Sequence, residues 1–405
     1  MPLVAFFRDH TPFTPDWNRI RPAGAALSAD VTAIQASRSA AALLRQQVCD
    51  LVTAGQQLTL TLAGLEPGRD SRLRFQTLCE LLGEAFQDVN APCHELGIVI
   101  DAVCLSPQDA WHIRSDKLGV GPLYLKLPQR ELPHEFWQQL WHSRANTLLR
   151  LVYSPFVVSQ TCLLPDEKAG GVIPVLGLQV PTGSSWVTAE VDVSEFSDEV
   201  GTLDPASFEQ VLEGAVAHAD KIHTRTRWPT AQMRHDAWLN RRLAINVTGI
   251  GALLRRRDSD PGRFATLNEM SELLLQVRRV LFAATRELAS CDGNLPALEQ
   301  ADPGRHVPGG NIGDGWTRLW RQALTASAVR NRNLLAISPW SIFPPGRAEM
   351  RYANLLPLLR FADVCPFGPP PDMAGWNLKN FKNFHQQAAA VLHQRGATHQ
   401  IAVHA

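Results

Sequence analysis

The chain has 405 residues, of which 45% are hydrophobic, and its 39 basic and 39 acidic residues give a net charge of zero. A balanced charge disfavours a general binder of nucleic acid or of membrane surfaces, because both attract proteins through a basic excess. No apolar run approaches the roughly 20 residues of a membrane span, and the N-terminus lacks the apolar core of a secretory signal. The seven cysteines are widely spaced and include no CxxC pair. We therefore expect a reduced, cytoplasmic protein without a metal site, long enough for one large domain or two ordinary ones.

Helix and strand patterns alternate along most of the chain, as is typical of an α/β protein. In chain order they predict a helix over residues 30–54, a strand over 57–64, a helix over 72–89, strands over 96–103 and 122–128, a helix over 133–149, strands over 151–158 and 172–180, a helix over 205–225, a strand over 241–251, helices over 267–289 and 314–328, a strand over 333–341 and a helix over 378–395. Ser28 or Asp30 can cap the first helix.

A lone cysteine, Cys162, lies between the apolar run 151–158 and a Pro-Asp turn. It is either a buried thiol, since cysteine packs well in cores, or a reactive group. Two glycines, Gly249 and Gly251, end the strand 241–251. They favour close packing of that strand on the next helix, because a lone GxG is a weak cofactor signal.

Several segments together resemble the large, catalytic subunit of ribonucleotide reductase. NRRLAINVTGIGALL (240–254) is similar to that family's NRRxGxGxxGLADLL, and VRNRNLLAISPWS (329–341) is similar to its LRNxxLLxIxPTxS strand and phosphate-binding turn. IRPAGAALS (20–28) resembles the RPxGxxI segment, and SQTCLL (159–164) falls where the family carries SNLCxE at the tip of its finger loop.

The resemblance implies an α/β barrel of ten strands with a central finger loop, shortened here at both ends. We expect residues 1–365 to form this barrel and residues 366–405 a C-terminal helical extension. Cys162 matches the cysteine that becomes a thiyl radical in the family, with Gln160 two residues before it. Ser338 and Ser341 match the phosphate-binding turn. Arg241 and Arg242, at the beginning of a predicted strand, are candidate anion ligands.

The departures from the family change the expected chemistry. Leu164 stands where the family has the glutamate that serves as general base, and we find no counterpart of its reducing cysteine pair. Because ribonucleotide reduction takes two electrons from a dithiol, we expect no deoxynucleotide product. The predicted function is an enzyme acting on a small molecule, with or without a phosphate, through Cys162 as radical carrier or nucleophile. The alternative is a non-catalytic binding or regulatory pseudoenzyme.

The same resemblance leaves the cofactor and the partners open. A thiyl radical would need a generator, such as a partner subunit, a cobalamin or an activating enzyme, and the chain carries no motif for any of them. We expect a small-molecule substrate, a radical-generating partner protein if the chemistry is radical, and no nucleic acid or membrane partner. A homodimer is compatible with the sequence and is not required by it.

Overall fold

The computed structural model describes most of the chain between residues 21 and 299, with short segments on either side. The described residues are 5–6, 12–13, 21–53, 57–63, 70–88, 96–101, 123–127, 131–142, 149–153, 169–173, 178–181, 183–228, 230–259, 264–299, 329–332, 334–336, 377–379, 382–383 and 386.

The described residues include strands that we number in chain order. They are β1 (Ala5–Phe6), β2 (Pro12–Phe13), β3 (Arg21–Asp30), β4 (Gln57–Ala63), β5 (Leu96–Asp101), β6 (Leu123–Leu127), β7 (Leu149–Tyr153), β8 (Ala169–Ile173), β9 (Leu178–Pro181), β10 (Trp186–Asp192), β11 (Arg242–Thr248) and β12 (Leu335–Ala336).

The helices of the described residues are numbered in the same way. They are α1 (Val31–Ala36), α2 (Arg38–Thr53), α3 (Ser71–Asp88), α4 (His134–His142), α5 (Pro205–Arg225), α6 (Ala231–Asn240), α7 (Ile250–Arg256), α8 (Phe264–Asp292) and α9 (Pro296–Glu299). A 3-10 helix, Val193–Phe196, follows β10.

Eight strands form one sheet in the order β12-β11-β10-β3-β4-β5-β6-β7. The strands from β3 to β7 run parallel to their neighbours, and so do β10, β11 and β12. The two groups meet at β3 and β10, which pair antiparallel. Along the strand direction, the carboxyl ends of β10 to β12 therefore lie at one end of the sheet, and those of β3 to β7 lie at the opposite end.

The part of the sheet formed by β10 and β11 lies under α5. This helix begins at Asp204, whose carboxylate accepts hydrogen bonds from the backbone N–H groups of Ala206 (3.1 Å) and Ser207 (3.3 Å), and Pro205 occupies its first turn. Pro fits there because its missing N–H would have no partner in the helix. One side of α5 packs against β10 and β11, and α8 packs against α5. Leu212 and Val216 are fully buried in this layer.

A second, antiparallel hairpin is formed by β8 and β9. It packs against β3 and β4, in the middle of the large sheet. The sequence predicted a strand over 172–180 within the main sheet, and that prediction is wrong. Ile173 ends β8 and Leu178 begins β9, and these two strands pair antiparallel with each other. Pro174 and Gly177 between them are residues that favour turns over a continuous strand.

The α/β character predicted from the sequence is confirmed, and the barrel is not shown. Within the described residues no pairing joins β12 to β7, so the structure shows a helix-rich protein with one mainly parallel sheet. The division at residue 365 falls outside the described residues and stays a prediction.

Two predicted helices differ from the observed ones by more than a shift of one to three residues at their ends. The helix predicted over 30–54 is α1 and α2, separated by Ser37 in an extended conformation, and Asp30 caps α1 as predicted. The helix predicted over 133–149 ends at His142, and Leu149 already belongs to β7.

Candidate functional site

The candidate site is a buried polar face on β10 and β11. Side chains alternate between the two faces of a strand, and every second residue of these strands is apolar: Val187, Ala189, Val191, Leu243, Ile245 and Val247. The intervening residues include Thr188, Glu190, Asn246 and Thr248, whose exposed fractions are 4%, 7%, 0% and 2%. The sheet thus has an apolar face suited to the helices and a buried face that carries polar groups.

Glu190 and Thr248 are joined across the two strands. The pairing places Glu190 opposite Asn246 and Asp192 opposite Thr248, and the hydroxyl of Thr248 donates to Oε1 of Glu190 over 3.2 Å. Burying a carboxylate costs free energy unless its oxygens accept hydrogen bonds. Departures of this kind from an apolar interior are typical of functional sites.

Gly249 closes this end of β11. Its φ is +78°, and a Cβ added there would stand 1.7 Å from Oδ1 of Asp192. Asp192 in turn accepts hydrogen bonds from the N–H (2.9 Å) and the hydroxyl (2.7 Å) of Ser194. The glycine is required because the backbone must pass this carboxylate closely. The sequence predicted close packing against the following helix instead, and that part stays a prediction.

The strand β10 was missed in the sequence. After Trp186, apolar Val187, Ala189 and Val191 alternate with polar Thr188, Glu190 and Asp192, which is the pattern of a strand. Recognising that alternation would have placed Thr188 and Glu190 on the same face of β10. The partner strand β11 was predicted. Its glycines and arginines were interpreted as site residues, whereas the buried polar residues that alternate along it were not.

Arg241 lies at the other end of β11, where α6 ends. Its backbone is left-handed, with φ 39° and ψ 52°, a conformation that costs a non-glycine residue free energy. Its guanidinium donates from Nη2 (2.7 Å) and Nε (2.8 Å) to Oδ1 of Asp220. Burial raises the pKa of Asp220, but the charges of Arg241 and Arg330 with the Asn331 amide outweigh it and hold that pKa below its usual value.

Arg242 is fully buried beside Trp186, with its guanidinium carbon 5.7 Å from the ring centre. Its Nη2 donates to Oδ1 of Asp236 over 3.1 Å, and Oδ2 of Asp236 accepts the backbone N–H of Ser185 at 2.7 Å. Anion binding by Arg241 and Arg242 stays a prediction. In the structure both guanidiniums are already bound to carboxylates, at the amino end of β11 and away from Thr248.

His223 is buried beneath the same arginines. One ring nitrogen, Nε2, lies 2.6 Å from the carbonyl oxygen of Arg242, and the ring packs against Trp228 at 5.4 Å. Burial lowers the pKa of His223 to about 4. The ring is therefore neutral at pH 7, Nε2–H donates to the carbonyl, and Nδ1 has no hydrogen-bond partner among the described residues.

The remaining predicted site residues lie outside the described residues. They are Gln160, Cys162, Ser338 and Ser341. The described part of the chain contains no group of three His, Cys, Asp or Glu side chains that could hold a metal ion.

No described helix combines the length and the apolar character needed to cross a bilayer.

The chain is weakly similar in structure to a ribonucleotide reductase subunit. The similar structure is the alpha subunit of the class Id ribonucleotide reductase of Actinobacillus ureae, at 11% sequence identity and a TM-score of 0.47. The similarity covers 93% of this chain and 68% of that one. No protein-family model matches the chain. No curated protein matches it either, so no sequence match supports the family resemblance.

Proposed function

We propose that the protein is an enzyme with a ribonucleotide-reductase-like barrel that binds a small polar molecule on the buried face of β10 and β11. Cys162 acts on that molecule as radical carrier or nucleophile, and deoxynucleotides are not made. The observation that carries this proposal is the set of polar side chains on a face that is otherwise closed to water: Thr188, Glu190, Asn246 and Thr248. Apolar residues would fill such an interior without the desolvation cost of a carboxylate.

The path of the chain supports a position of Cys162 over this sheet. Tyr153 ends β7 at one edge, whereas β8, which begins at Ala169, packs against β3 and β4 in the middle. Three strand spacings, about 14 Å, separate β7 from β4, and the proposal is that the chain crosses the sheet between them. The proposal places Cys162 on this crossing, where a finger loop would present its sulfur to a molecule on the sheet.

The register of β12 supports a second contact. Ala336 pairs in parallel with Asn246. If this register continues, Ser338 lies at the same end of the strands as Thr248. Chain connectivity holds the Cα of Ser338 within about 8 Å of the Cα of Ala336. In the proposal, the turn from Ser338 to Ser341 binds a polar group of the substrate, such as a phosphate.

The sequence of β11 also argues against the standard substrate. Ala244 and Asn246 stand where the resembled NRRxGxGxxG segment has glycines, and both lie on the polar face. Two side chains in place of hydrogen atoms make the space over the sheet smaller. Glu190 offers a carboxylate on this face and can accept a proton from a substrate hydroxyl. This is the general-base role that Leu164, which replaces the family's glutamate, is unable to fill.

The proposal is tested by turnover in extracts of the native host, which supply small molecules and any radical generator. Untargeted mass spectrometry compares the full chain with Cys162→Ser, which keeps the size of the side chain but cannot carry a thiyl radical or a thiolate. Cys291→Ser, at an exposed cysteine on α8, is the matched control. We expect at least one compound to be consumed by the wild type and by Cys291→Ser and to persist with Cys162→Ser.

Three outcomes would contradict the proposal. Equal turnover by Cys162→Ser would make the cysteine structural. No turnover by any variant would favour the non-catalytic alternative. Formation of deoxynucleotides from ribonucleoside di- or triphosphates with dithiothreitol would restore the standard activity that we exclude.

A further inference from the structure

The surface formed by the end of α5, the following turn and α6 has its carboxylates turned inward. Residues 218–242 contain two acidic side chains, Asp220 and Asp236. Asp220 is 3% exposed and bound by Arg241, and the side chain of Asp236 is 12% exposed and bound by Arg242. Neither negative charge faces water, so both are unable to neutralise cations on the outer side of these helices.

The outer side carries four exposed cations, Lys221, Arg225, Arg227 and Arg234. Lys221 and Arg225 lie four residues apart on one face of α5. They are close enough to His218 that, after burial, their charges help to lower the pKa of that histidine. Arg234 reaches back from α6 and donates from Nη1 to the carbonyl oxygen of Trp228 over 3.0 Å. The cations therefore group around the turn between the helices.

An exposed aromatic ring continues this surface. Trp238 is 53% exposed, which is unusual for a large apolar side chain, and it packs against His235 with ring centres 5.9 Å apart. Trp238 follows Arg234 by four residues, so both lie on the same face of α6, about 6 Å apart along the helix. We call the set Lys221, Arg225, Arg227, Arg234, His235 and Trp238 the basic-aromatic surface.

We propose that the basic-aromatic surface binds single-stranded nucleic acid. Cations in a row attract phosphates, and a flat exposed ring offers a platform on which an unpaired base can stack. A duplex hides its bases from such a ring. A membrane would be met by several exposed apolar side chains, whereas this surface has one. The zero net charge of the whole chain argues against nucleic-acid binding over the surface in general. This surface is locally positive because its carboxylates point inward.

The proposal is independent of the enzyme site, because Trp238 and the four cations lie at the amino end of β11 and outside the polar face. The test is fluorescence anisotropy of labelled oligo(dT) and oligo(rU), on the order of 20 nucleotides long, with the full chain. Phosphate contacts by four cations predict that the logarithm of the affinity falls with the logarithm of the salt concentration with a slope of about −3. The two oligonucleotides distinguish DNA from RNA as the partner.

The variants separate stacking from charge. Trp238→Ala is expected to weaken binding about tenfold without changing the salt slope, and Trp238→Phe to restore most of the loss, because stacking needs only a ring. Arg225→Ala combined with Arg227→Ala is expected to make the slope shallower by about 1.4. Arg38→Ala, at an exposed arginine of α2, is the control and is expected to change neither value.

Any of three results would overturn the proposal. The first is no binding at about 50 mM salt, where contacts to phosphates are strong. The second is binding that responds to Trp238→Ala and to the double arginine variant no more than to Arg38→Ala. The third is sedimentation with phosphatidylserine vesicles in the absence of oligonucleotide binding, which would identify a membrane surface as the partner.

Discussion

Replacing Asp220 by asparagine removes the negative charge that the buried Arg241 and the partly buried Arg330 share. Oδ1 accepts from Nη2 of Arg241 at 2.7 Å and from the amide of Asn331 at 2.6 Å, and Oδ2 accepts from Nε of Arg330 at 3.2 Å. After the substitution, two guanidiniums of like charge remain beside a neutral side chain. The amide nitrogen of the new asparagine is a hydrogen-bond donor. It would therefore face one of the donors that now bind Asp220, and two donors do not form a hydrogen bond.

The expected loss is large because the charges are buried. Asp220 is 3% exposed, and the side chains of Arg241 and Arg330 are 9% and 16% exposed. Breaking a buried ion pair by removing one partner costs about 3–5 kcal/mol, since the remaining charge loses both water and its counterion. The Asp220 cluster also fixes residues 329–332, which lead directly into β12. We therefore expect the variant to lose its β12 contacts before the rest of the sheet.

The assay is urea unfolding followed by tryptophan fluorescence, with the free energy taken from the midpoint and slope. Glu84→Gln is the control, because Glu84 is 61% exposed and its contact to Arg45 measures 3.6 Å. An exposed pair of this kind contributes about 0–1 kcal/mol. Adding Arg241→Met to Asp220→Asn should recover part of the loss by removing an unpaired cation. A loss of under about 1 kcal/mol in Asp220→Asn, equal to the control, would refute the reasoning.

Three further predictions concern single side chains. Gly249→Ala should destabilise far more than Gly293→Ala in the same unfolding assay, because both glycines have positive φ but only the first would bring a Cβ against Asp192, and equal losses would contradict the clash. The neutral, buried His223 should make the free energy of unfolding fall as pH drops from 6.5 towards 4, by up to about 3 kcal/mol, because protons bind the unfolded state first; an acid titration of His223→Gln that shows the same fall would exclude this histidine as the cause. Asp204→Ala should cost about 1 kcal/mol by removing the cap of α5, seen as a lower thermal midpoint, whereas Asp204→Asn should retain most of the stability.

The sequence by itself determined the local elements of this protein. The helix predicted over 205–225 is α5, and its signals are local: the cap at Asp204, the proline in the first turn and the apolar pattern act within a few residues of one another. The strand predicted over 241–251 contains β11, although α7 already begins at Ile250. Such signals are local, and they are complete in any window of the chain.

Only the tertiary structure decided which of these elements meet. Glu190 and Thr248 are 58 residues apart, and Asp220 and Asn331 are 111 apart, yet each pair is hydrogen bonded in the interior. Neither sequence position alone indicates a partner, because sheet order and strand direction set the contact. The same holds for Arg241 and Arg242, which look like free anion ligands in the sequence. Their buried carboxylate partners, one of them brought in from α5, neutralise both charges in the fold.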